Sequence, residues 1–362
     1  MLSNIYITGI SSVSSLGATK EEIIKNTALN KVPDENIITE NGFAYYKSSD
    51  FTFSSYFDVK RLRRVSLLSK MILHTIERAL DDAGIDTKNS SQKIGLFFST
   101  GLGEIHTTLQ YLDSYIDKGV MYVSPMHFHN SVHNAPAGLA AIEFGLTGSN
   151  YTFSQKDVSF EAALEGAVLA LERGKIDCAI VCSADKSDAL IRESYLGFNM
   201  IKNNKSKHGF IPSEGAAAFI LEKKQTIPKK AYSKLIFSEL KSVPALPWEQ
   251  PSDIKDIKLP EELLKNTDVC FTGESGFPLR DRSEDKLFKA VKKINPNIKK
   301  FAPKLIFGDF PTSSAVSFYL SQLILSSDIN SSSISKDIKS IVHQSITCGG
   351  SYSISVVKRP DK

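Results

Sequence analysis

The sequence predicts an α/β protein with buried sheets, and three observations carry that expectation. Short β-branched and aromatic runs alternate with stretches of helical periodicity, and glycine-rich or polar turns punctuate the switches. Apolar residues make up 41% of 362, enough for a sizeable core. In chain order, "NIYITGI" is the first strand and "RRVSLLSKMILHTIERALDDAGI" the first long helix. "KIGLFFST" is the next strand. From Tyr151, "YTFSQKDVSFEAALEGAVLALERGK" gives a strand end, a tight polar turn and a helix of small and apolar residues. "CAIVCSA" and "GAAAFILEK" are strands. After about Lys223 the chain turns Lys- and Pro-rich, which marks a boundary. A second α/β section follows, with the strand "DVCFTGES", the helices "SEDKLFKAVKKI" and "SSAVSFYLSQLIL", and the closing strands "SIVHQSITCGG" and "SYSISVVKRP". The expectation is two halves, residues 1–225 and 226–362, forming one compact unit. Both place a small-residue helix after a polar turn, although the sequence shows no repeat strong enough to establish duplication.

Composition excludes several function classes. The net charge of +4 is small for this length, and the lysine runs Lys202–Lys207 and Lys223–Lys230 read as solvated loops, so neither nucleic acid nor membrane is expected as a partner. The start of the chain lacks the charged-then-apolar signal pattern, and no apolar run approaches ~18–20 residues, so a cytoplasmic location is expected. Cys178 and Cys182 lie four apart on a strand, sharing a face at a separation too large for ordinary shared chelation. With Cys270 and Cys348 they read as reduced thiols. "STGLG", Ser99 to Gly103, is too short a glycine turn to argue for a bound phosphate, and no cofactor is expected.

The order of motifs resembles the elongating β-ketoacyl-acyl-carrier-protein synthases of the thiolase superfamily. "IYITGISSVSSLGATKEEI" is similar to their opening strand and loop, and "FSTGLGEI" to their first glycine-rich turn. The most specific stretch is "VSPMHFHNSVHNAPAGLAAIEFGLTGSNYTFS", similar to the segment that leads into the family's nucleophile; "HGFIPSEGAAAFILE" and "CGGSYSISVVKR" follow in place. The resemblance implies a thiolase-like five-layered αβαβα fold made of two similar halves, with the active site between them and a dimer as the working unit. It also implies a cysteine at a buried helix N-terminus, where the thiol pKa falls, two histidines that favour decarboxylation and stabilise the enolate, and a supporting lysine.

This sequence departs from that pattern at each catalytic position. With Asn150, Tyr151, Thr152 and Ser154 as anchors, Asp157 stands where the nucleophile belongs. Gly276, Pro278, Leu279 and Asp281 keep register in "TGESGFPLRD", which puts Gly273 at the first histidine position. "PKLIFGDFPTSSA" retains Lys304 and Gly308 but carries Asp309 at the second histidine position. Cys348 occupies the place of the phenylalanine that gates the acyl pocket, and the Pro-rich stretch Pro244–Pro260 replaces a longer segment over the entrance. A carboxylate is a poor acyl acceptor, because a mixed anhydride hydrolyses, so no catalytic residue is intact and ordinary condensation is not expected.

Three readings of Asp157 stand side by side: a helix N-terminal carboxylate, an ion cluster in which Lys304 sits between Asp157 and Asp309, and a new acid–base pair. His127, Phe128, His129, Val132 and His133 are interface and acyl-tunnel candidates by resemblance, preferred over a metal site. Glu214 in "PSEGAA" is assigned a structural role. The function expected is a catalytically inactive, chain-length-factor-like subunit that pairs with an active ketosynthase in polyketide, polyene or fatty-acyl biosynthesis and meets acyl carrier protein. The alternatives are an acyltransferase or hydrolase using Asp157 and Asp309, and a non-catalytic homodimer that binds acyl carrier protein.

Overall fold

Strand β1 (Ile5–Val13), buried along its whole length, stands beside the middle of a ten-stranded sheet in the computed structural model, which describes residues 4–53, 65–246, 249–251, 257–329 and 338–360. The expected helix start at Arg63 and Arg64, and residues 247–248 and 252–256 of the Pro-rich stretch, lie outside the described residues. A separate hairpin pairs β2 (Ile37–Glu40) with β3 (Phe43–Tyr46). To one side of β1 come β7 (Gly215–Lys223), β6 (Cys178–Asp185), β4 (Ile94–Ser99) and β5 (Asn150–Phe153). To the other come β8 (Ser233–Ser242), β12 (Ser351–Lys358), β11 (Ser340–Ile346), β9 (Val269–Phe271) and β10 (Lys299–Phe301).

Outward from the junction of Ile5–Ile7 with Ser233–Leu235, both sides repeat one pattern. Each begins with two antiparallel pairings and ends with two parallel ones. The two halves are therefore built alike, a duplication carried by strand order and direction that sequence similarity did not reveal.

Helices complete the layers. Among the described residues they are α1 (Lys20–Ala28), α2 (Leu67–Ala83), α3 (Ile105–Lys118), α4 (Pro125–Asn130), α5 (Ala135–Glu143), α6 (Ser159–Glu172), α7 (Ala189–Gly197), α8 (Glu261–Leu264), α9 (Pro278–Ile294), α10 (Lys304–Phe307) and α11 (Ser313–Leu325). A reciprocal Thr19–Glu22 capping box starts α1, and Ser66 caps α2, which stops at left-handed Gly84. Helices α2 and α5 cover one outer face, where Ile72, Ala79 and Ala137 join the core around Leu96 and Ile180. Helix α9 covers the other, with Leu287 and Val291 against Cys270 and Val342. Between the leaves lie α6 and α11, whose Leu164, Ala167, Phe318 and Leu320 share a core with Phe219 on one side and Phe271 and Ile341 on the other. The alternation of Val269, Cys270 and Phe271 between two cores is what a strand covered on both faces requires. Small residues in α6 and the mixture of serines and large apolar residues in α11 suit this central position, where α11 is buried along nearly its whole length and α6 reaches water toward its end, at Leu169.

The Lys- and Pro-rich region after Lys223, a boundary or excursion by composition, contains the start of β8, which joins the two leaves at the centre of the sheet. Its Lys234, Ser238 and Lys241 hide the alternating pattern on the partly exposed side of the strand.

Candidate functional site

Strand β5 ends at Phe153, and the chain turns through Lys156 at φ 51° into a short 3₁₀ turn, Lys156–Val158, before α6 begins. Ser159 Oγ closes this turn, accepting from the Gln155 N–H and donating to the Lys156 carbonyl, each at 2.7 Å. Asp157 makes no side-chain cap on the helix. Its Oδ2 accepts from Thr347 Oγ1 at 2.9 Å and lies 3.6 Å from Arg280 Nη1. The carboxylate is thus aimed at the second half of the molecule and away from its own helix, which removes the capping interpretation.

Arg280 organises what Asp157 faces. In the first turn of α9, Asp281 accepts from the Ser275 and Gly276 N–H groups at 2.9 Å each and anchors the turn. The neighbouring Arg280 guanidinium is buried and donates to Asp309 Oδ2 and Ser275 Oγ. Asp309 Oδ1 accepts from Ser313 Oγ at 2.7 Å and lies 3.2 Å from Lys304 Nζ. Burial opposes ionisation of Asp309, but Arg280 and Lys304 outweigh it and hold the pKa at about 2. Burial works against the charge on Arg280 too; Asp309 and Asp157 more than restore it, and its pKa is raised.

The expected cluster therefore exists with a different central cation. Lys304 pairs with Asp309, while the guanidinium between the two carboxylates belongs to Arg280. "PLRD" contained this residue, but it served only to set register. A planar, always charged group suits bridging two carboxylates in a buried space better than an ammonium does.

At Gly273, which the sequence registers align with the first histidine, a Cβ would stand 2.5 Å from Glu284 Oε1. Glu284 is fully buried and accepts from the Ile346 N–H at 2.8 Å and from Gln344 Nε2 at 2.9 Å. Burial raises its pKa against these bonds. The carboxylate thus occupies the space a larger residue 273 would need. Glu161 in α6 is a second buried acid that sequence reasoning passed over; burial raises its pKa to about 7. The helix also carries Glu165 one turn on, on the same side, so nothing local in the sequence set Glu161 apart as the buried acid.

Cys348 is half-buried and its Sγ lies 3.1 Å from Gln250 Nε2. Burial, then the nearby Asp157, push this thiol up. The neighbouring Gly349 N–H donates to the Glu249 carbonyl at 2.9 Å, so the described part of the Pro-rich stretch reaches the site and covers it. What remains open is a pocket of about 70 Å³ lined by Asp157, Arg280, Asp309, Gln250 and Cys348. Drug-sized ligand pockets run to roughly 300–1,000 Å³.

The histidine run lies elsewhere, on and just after α4, and shares no hydrogen bond or ion pair with this cluster among the described residues. His133 rests on the Gly103 turn, where a Cβ would come 2.6 Å from its ring and φ is 58°. That contact explains the glycine in "STGLG". Phe128 and Val132 are solvent-facing, as are Ile116, Met121 and Tyr122 on α3 and the turn after it. Sheet edge β5 carries an exposed Tyr151. Among the described residues no three His, Cys, Asp or Glu side chains converge as a metal-binding group. No described helix is long and apolar enough to cross a membrane. Glu214 accepts from the Ser48 and Ser187 N–H groups at 3.1 Å each, a structural role.

Comparison with known proteins gives these residues a context. The family profile "Beta-ketoacyl synthase, N-terminal domain" matches residues 3–226. The chain is 22% identical over 245 residues to "Polyketide biosynthesis malonyl-ACP decarboxylase PksF" of Bacillus subtilis (strain 168), covering 62% of this chain and 59% of that protein. It spans less than two thirds of the curated relatives it matches first. Among solved structures, "The ishigamide ketosynthase/chain length factor" superposes with a TM-score of 0.81 at 14% identity, covering 100% of both chains. A type II polyketide acyl carrier protein in complex with its ketosynthase bound to the hexaketide superposes with a TM-score of 0.77 at 17% identity, over 99% of this chain and 100% of that one. These neighbours establish a thiolase-type ketosynthase fold.

Proposed function

Because the chain belongs to the β-ketoacyl synthase family, we propose that it is a member without condensing activity that pairs with an intact ketosynthase and shapes that partner's acyl pocket. One observation carries this reading: an Asp157–Arg280–Asp309–Lys304 network joins the two positions that the sequence resemblance assigns to the family's nucleophile and second histidine. Asp309, with a pKa of about 2, cannot donate a proton near neutrality, and Arg280 and Lys304 occupy its lone pairs. That speaks against Asp309 as the acid or base of the hydrolase and acyltransferase alternatives. Gly273 offers no donor for an enolate, and a pocket of about 70 Å³ leaves little room for an acyl chain.

Pairing is supported by the exposed apolar surface of Ile116, Met121, Tyr122, Phe128 and Val132 beside the open edge of β5. A two-fold related interface lets one subunit line the pocket of the other, so chemistry can be lost on one side while shape is kept. Acyl carrier protein is the proposed second partner. A groove of about 620 Å³ is lined by Lys202, Lys207 and Arg282 together with Glu274, Asp281 and Asp285, so it offers an acidic carrier individual cationic contacts within a mixed-charge surface. The test is co-expression with an intact ketosynthase from the same source. The proposal expects a stable heterodimer in size-exclusion chromatography and condensing activity in the partner that depends on this chain. A partner fully active alone, with this chain eluting as a homodimer, would overturn the pairing.

A further inference from the structure

Beside Gly273, between α6, α11 and the end of β9, lies a cavity of about 20 Å³. Its wall includes Glu161, Thr272, Lys304, Ser314, Ser345 and Ser353. Three polar atoms there, Glu161 Oε2, Thr272 Oγ1 and Ser314 Oγ, are buried without a hydrogen bond of acceptable geometry among the described residues, although Ser314 stands close enough to Glu161 to favour its ionised form. Buried polar atoms are almost always paired, and a cluster of unpaired ones around a single void points to a missing partner. The volume suits one water, which needs at least roughly 10–15 Å³ and two to four polar neighbours.

We propose that this cavity holds one internal water molecule, bound by Glu161 Oε2, Thr272 Oγ1 and Ser314 Oγ. The hydroxyls of Thr272 and Ser314 can each donate or accept, and the carboxyl accepts when ionised and donates when protonated, so water satisfies all three in either state of Glu161. A metal cation fits poorly because the Lys304 ammonium already lines the wall. An apolar guest would leave every polar atom unpaired. The bound water ties α6 to α11 and to the segment that carries Gly273, so solvent, with the Glu284 carboxylate, completes the former catalytic space. This inference does not depend on pairing.

Valine and alanine scanning of the full chain decides it by sign. If water is bound, Thr272→Val and Ser314→Ala each remove one of its partners, and the urea midpoint of each variant falls below wild type. If the cavity is dry, each substitution deletes an unpaired hydroxyl, and the midpoint holds or rises, which overturns the proposal. High-resolution diffraction from the wild-type protein gives an independent readout that needs no variant. One ordered peak within hydrogen-bond distance of the three atoms is expected. An empty cavity, a metal ion, or side chains rotated to satisfy one another would overturn it.

Discussion

Replacing Arg280 with methionine keeps the length and bulk of the side chain while deleting the charge between Asp309 and Asp157. Asp309 is 4% exposed and would keep only Lys304, at 3.2 Å, and Ser313, at 2.7 Å. Removing one partner from a buried ion pair costs about 3–5 kcal/mol, because the remaining charge stays desolvated. A second route gives a similar scale. The Asp309 pKa moves from 3.8 to about 2 in the fold, worth on the order of 2–3 kcal/mol. Since the folded value is depressed, that contribution is complete above pH 3.8 and disappears as pH falls through about 2. The Asp157 contact adds little, being longer and partly exposed. For a chain of this size Arg280→Met should lower the melting temperature at pH 7 by about 4–7 °C in scanning fluorimetry. The triple variant Arg280→Met, Asp309→Leu, Lys304→Met should recover most of the loss, because an apolar set replaces a broken one. A drop of less than roughly 2 °C for Arg280→Met would refute the network as a net stabilising element of the fold.

Restoring a histidine by Gly273→His should destabilise the protein by about 1–3 kcal/mol, since its Cβ would meet Glu284 Oε1 at 2.5 Å. Shortening the neighbour with Glu284→Ala in the same chain should relieve much of that in thermal melts. The Glu161 pKa is raised by burial from 4.5 to about 7, so the fold holds its proton more tightly than the unfolded chain does. Stability should therefore fall by about 3 kcal/mol as pH rises from 4.5 to 7, and Glu161→Gln should flatten that slope in urea titrations at several pH values. An aspartate at Phe128 or Ile116, both solvent-facing, should abolish the proposed pairing in size-exclusion chromatography and leave the melting temperature of the isolated chain within a few degrees.

Much of this was legible in the sequence where a single pattern dominates. The strands β4, β6 and β7 are rich in apolar residues, and β1 and the helices α6 and α11 mix apolar with small residues, so burial announces them. Strand β8 was missed because lysines and serines sit on its partly exposed positions, and its place at the sheet centre is decided by pairing across more than one hundred residues with β12. The motif registers brought Asp157, Lys304 and Asp309 to one place. Arg280, Glu284 and Glu161 were not foreseen, because each acts through a partner far along the chain: Asp309, Ile346 and the cavity beside Gly273. Local propensity carries no trace of such contacts. The duplication of the two halves survives in strand direction and order, properties that residue similarity does not record.

The most direct test of the account uses the purified chain alone with acyl- and malonyl-loaded carrier protein, read by intact-protein mass spectrometry. The account predicts no acyl adduct on the chain and no β-ketoacyl product. A β-ketoacyl product that forms with this chain alone and disappears in Asp157→Asn would contradict it.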